Sequence, residues 1–65
     1  MANLNEQGLA HMRAGEYEEA LRCFSEAVNE HPDDPAGYIN IGTVLAAAGE
    51  EEKALECFRQ ALMLD

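Results

Sequence analysis

Two histidines and two cysteines, His11, His31, Cys23 and Cys57, first invite a reading as a metal site or a nucleophile. Zinc sites bring their ligands in tight pairs, a few residues apart. Here the two cysteines are 57 − 23 = 34 positions apart, and neither stands in a tight pair with a histidine. Neither histidine has a nearby serine or cysteine placed as a nucleophile. The segment GYINIGT, from Gly37 to Thr43, has the two glycines of a phosphate-binding loop, but Thr43 stands where that motif needs lysine. The carboxylate runs EYEE (16–19) and EEE (50–52) offer oxygen ligands for a cation. Each also falls where a helix would begin, a place where negative charge is favoured by the helix dipole. Solvated helix starts and small packing thiols account for these residues. No catalytic residue, metal site or cofactor is expected, and the chain is not expected to be an enzyme.

Charge narrows the classes further. Thirteen acidic side chains face four basic ones, a net charge of −9. Nucleic acids and anionic lipid surfaces both need Lys or Arg to neutralise phosphate, so neither is an expected partner. The N-terminal MANLNEQG has no basic segment leading into an apolar run. The longest weakly polar run, YINIGTVLAAAG, has 12 residues, whereas a membrane span needs about 20. A cytoplasmic chain with reduced thiols is expected. With 65 residues it forms one small domain with a thin core, burying only about 60% of the surface that the unfolded chain exposes.

The elements that position these side chains follow from an internal repeat. AGEYEEALRCFSEA at 14–27 returns as AGEEEKALECFRQA at 48–61, a shift of 34. Identical pairs include Gly8/Gly42, Gly15/Gly49, Ala20/Ala54, Leu21/Leu55, Cys23/Cys57, Phe24/Phe58 and Ala27/Ala61. Such a period marks stacked units that cannot bury their apolar faces alone. The cysteines then occupy equivalent places on successive units, about a repeat rise apart, and a disulfide needs α-carbons within about 7 Å.

Each unit reads as two helices. Leu4, Gly8, His11 and Met12 fall at helical spacing, as do Tyr38, Ile41, Gly42 and Leu45. Gly15 and Gly49 end these helices. The second helices carry the stripes Ala20, Leu21, Phe24, Ala27, Val28 and Ala54, Leu55, Phe58, Ala61, Leu62. Glu18 stands four residues before Arg22, a spacing that supports an exposed ion pair. Pro32 stops one helix; Asp34 caps the next and Pro35 takes its first position. The expected fold is all-α: four helices in two stacked helix-turn-helix hairpins, an α-solenoid with units 1–34 and 35–65 in one domain and no C-terminal capping helix. Gly8 and Ala20 are expected to let the helices of a unit approach closely, and Phe24 and Phe58 to fill the space between units.

Gly8, Ala20, Phe24, Ala27 and Pro32, with Gly42, Ala54, Phe58 and Ala61, resemble the signature of the tetratricopeptide repeat at its spacing and length. Three places depart from it: Leu4 and Tyr38 replace the usual Trp, Gln7 and Ile41 the usual Leu, His11 and Leu45 the usual Tyr. The stretch EHPDDPAGYINIGTVLAAAGE is also similar to N-terminal repeats of cytoplasmic multi-repeat proteins of Bacillus-like bacteria. The resemblance implies a non-catalytic protein-interaction scaffold whose first helices line a concave groove. That groove would hold a peptide or helix on Ala2, Asn5, Glu6, Leu9, Met12 and Arg13 of the first unit and Ala36, Ile39, Asn40, Thr43, Ala46 and Ala47 of the second. Of the residues with which some members clamp a C-terminal carboxylate, only Asn40 is matched, so no such clamp is expected.

A second expectation is self-assembly. The sequence stops at Asp65 without the polar helix that caps such stacks, leaving Leu55, Phe58, Leu62 and Met63 as an apolar stripe of the kind that marks an interface. A homo-oligomer formed by stacking or by exchange of helices would cover it.

Overall fold

The computed structural model describes residues 3–64. Four helices follow in order: α1 (Leu4–Arg13), α2 (Tyr17–Glu30), α3 (Pro35–Ala47) and α4 (Glu51–Leu64). The described residues contain no strand. The fold is therefore the expected all-α pair of helical hairpins.

Local chemistry sets the helix boundaries. Asn3 Oδ1 accepts the Glu6 N–H at 2.8 Å and so caps α1. Asp34 Oδ1 accepts the Ala36 N–H at 3.0 Å, and Pro35 occupies the first turn of α3. α2 has no side-chain cap, but Glu18 and Glu19 lie in its first turn, where the dipole favours them. The two hairpin turns are copies of each other. Gly15 (φ 80°) and Gly49 (φ 87°) adopt the left-handed conformation. The N–H after each reaches back across the turn, Glu16 to the His11 carbonyl and Glu50 to the Leu45 carbonyl, both at 2.8 Å. The glycines themselves donate to Met12 and Ala46 at 3.0 and 3.1 Å. This paired closure satisfies the orphan carbonyls of α1 and α3 and aims the second helix back along the first.

Packing joins α1 to α2 and α3 to α4; α3 also lies on α2 and α1, while α4 packs on α3 alone. The close approach within each unit is made by an aromatic ring on a glycine. A Cβ on Gly8 would lie 2.7 Å from Cδ1 and Cζ of Phe24, and one on Gly42 would lie 2.6 Å from Cε1 of Phe58. Gly8 therefore makes room for Phe24. Between the units, Ala20, Phe24 and Val44 form the fully buried cluster, with Leu9, Met12, Tyr17, Leu21 and Ile41 packed around it. Phe24 thus fills both the space inside its unit and the space between units.

Three expectations need correction. Phe58 does not fill an inter-unit space: it lies on Gly42 and stays partly exposed. The α3 stripe omits Val44, the residue through which α3 enters the first unit. Glu18 and Arg22 form no ion pair; among the described residues the bridges are His11–Glu16, Lys53–Glu50 and Arg59–Glu56.

The burial difference between the two rings gives a direct test. Phe24 is 0% exposed, and removing such a ring costs about 3–5 kcal/mol, as much as a domain this small holds. Phe24→Ala should be unfolded or nearly so by circular dichroism, while Phe58→Ala, at the equivalent repeat position, keeps a cooperative urea transition. Gly8→Ala should also lower the urea midpoint. Overpacking costs about 1–3 kcal/mol, against a helix-propensity gain of about 1 kcal/mol.

Candidate interaction surfaces

Two surfaces emerge. The first spans α1 and α3. Asn40 Nδ2 donates to Asn5 Oδ1 at 3.2 Å, a partly buried bridge between the units. The bridge leaves the Asn5 amide free to donate and the Asn40 carbonyl free to accept. Thr43 is exposed and its hydroxyl donates to the Ile39 carbonyl one turn back, at 2.9 Å. Arg13 is exposed in the last turn of α1. Leu9 and Met12 are half-buried against the Phe24 cluster, so packing is their first role. Ala2 lies outside the described residues.

The second surface is the outer seam of the α3–α4 hairpin. Pro35, Ile39, Phe58, Ala61 and Leu62 line an apolar cleft of about 390 Å³. Ala46, Glu51, Ala54, Leu55 and Phe58 line a neighbouring one of about 340 Å³. Phe58 lines both, so the two clefts adjoin at this residue along an α3–α4 trough. Leu62 is 74% exposed and Leu55 57%, far above the surroundings of a core helix. Met63 is exposed but lines neither cleft. Ile39, read from sequence as a groove residue, is 46% exposed and also lines the first of these clefts. Ala46, also read from sequence as a groove residue, lines the second cleft, and Pro35, read only as the first residue of a helix, lines the first. Shifting the first unit's seat for α3 by one repeat period would have placed Ala46 there, as the equivalent of Met12.

The groups that first invited chemistry are spread out. His11 Nδ1 pairs with Glu16 Oε1 at 2.7 Å, tying the end of α1 to the start of α2. Both cysteines are free. Among the described residues, no three of His, Cys, Asp and Glu come together as a metal site.

The profile of the tetratricopeptide repeat family matches residues 5–65. No curated protein matches the chain, and the closer likeness to Bacillus-like proteins gains no support.

Cys57 differs from an ordinary thiol. Burial pushes its pKa up, and the neighbouring Glu56 carboxylate pushes in the same direction. Less of it is thiolate at any pH below its pKa. In a Cys23→Ser chain, alkylation of Cys57 at pH 8 should be slower than that of the same chain in denaturant, with the deficit closing as pH rises. Equal rates at pH 8 would show that the thiol is not held in this environment.

Proposed function

The chain belongs to the tetratricopeptide-repeat family, and from that premise we propose that it is a non-catalytic scaffold that holds a peptide or helix of another protein across α1 and α3. Members of this family generally mediate protein–protein interaction. The observation that carries the finer reading is the Asn5–Asn40 bridge. It sets one free donor and one free acceptor side by side, the complement of a peptide backbone unit. The surrounding residues are Leu9, Met12, Arg13, Ile39 and Thr43, mild in charge although the chain carries −9. A ligand recognised there by apolar contact and backbone hydrogen bonds fits better than a strongly basic one. The same charge opposes nucleic acid and anionic membrane. No helix among the described residues is long and apolar enough to cross a membrane. Two free thiols suit a reducing cytoplasm.

A second reading is favoured by a separate observation. The α3–α4 trough, with Leu55, Phe58 and Leu62, is apolar and uncovered, and self-association would bury it. The two readings use adjoining faces that share Ile39.

The first reading is tested with a displayed peptide library, followed by titration of the selected peptide. Asn40→Ala removes the bridge and its free acceptor. Losing one or two hydrogen bonds at about 1 kcal/mol each should weaken binding roughly 5- to 30-fold. Glu26→Ala on the exposed face of α2 should leave it unchanged. If Asn40→Ala binds as tightly as the parent chain, the groove is misplaced. Met12→Ala is a poorer probe, because Met12 also supports the core.

A further inference from the structure

We draw no further inference here: the strongest candidate, the polar cleft between the start of α1, the end of α2 and the start of α3 lined by Asn3, Asn5, Glu30, His31 and Asp34, carries nothing because its charged groups are exposed, its Asn3 and Asp34 side chains already cap helices, and nothing in the structure shows what ligand would fill it.

Discussion

The ring of Phe24 occupies the volume that a side chain at position 8 would fill, and the rest of the structure is arranged around that contact. It brings α1 and α2 close enough for the Gly15 turn to close with both of its backbone hydrogen bonds. It also leaves the far face of the ring open to Val44 of α3, so one aromatic side chain joins three helices. A larger residue at position 8 would separate α1 from α2 and take with it the seat into which α3 fits. For so short a chain, most of the hydrophobic stabilisation comes through this one point.

The repeat copies the contact but not its surroundings. Phe58 lies on Gly42 as Phe24 lies on Gly8, yet nothing among the described residues takes the place of Val44 beside it. Identical local geometry therefore gives a buried ring in one unit and a half-exposed ring in the other. α4 inherits the consequence. It packs on α3 alone, so its detachment breaks one helix interface, whereas displacing α3 breaks three. Sub-global opening in such a molecule starts from the element with fewest partners, and any molecule that covers the trough stabilises that element by mass action.

Charge and apolar surface are segregated in the same way. α3 carries no charged side chain, and α1 carries Glu6 and Arg13 besides its histidine. Most carboxylates lie on α2, α4 and the turns. The α1 and α3 helices are thus the least charged parts of a strongly acidic chain.

The sequence by itself determined the four helices, their turns and their order. These depend on local chemistry: Asp34 and Pro35 start a helix, Gly15 and Gly49 reverse the chain because glycine alone adopts their conformation cheaply, and the 34-residue period requires the units to stack. The stripe through Leu55, Phe58 and Leu62 was legible for the same reason, since helical spacing fixes which residues share a face. Which faces meet was decided only in three dimensions. Val44 does not stand out from its neighbours in a helix that carries no charged side chain, and only the seat on α2 selects it for the core. Ile39 reads as a groove residue by its place in the repeat, but the packing of α4 beside it makes it a wall of the trough. Asn5 and Asn40, 35 residues apart, form their bridge because stacking brings α1 and α3 side by side. Periodicity specifies a helix's faces; the partner that covers each face depends on the shape of surfaces assembled from distant parts of the chain.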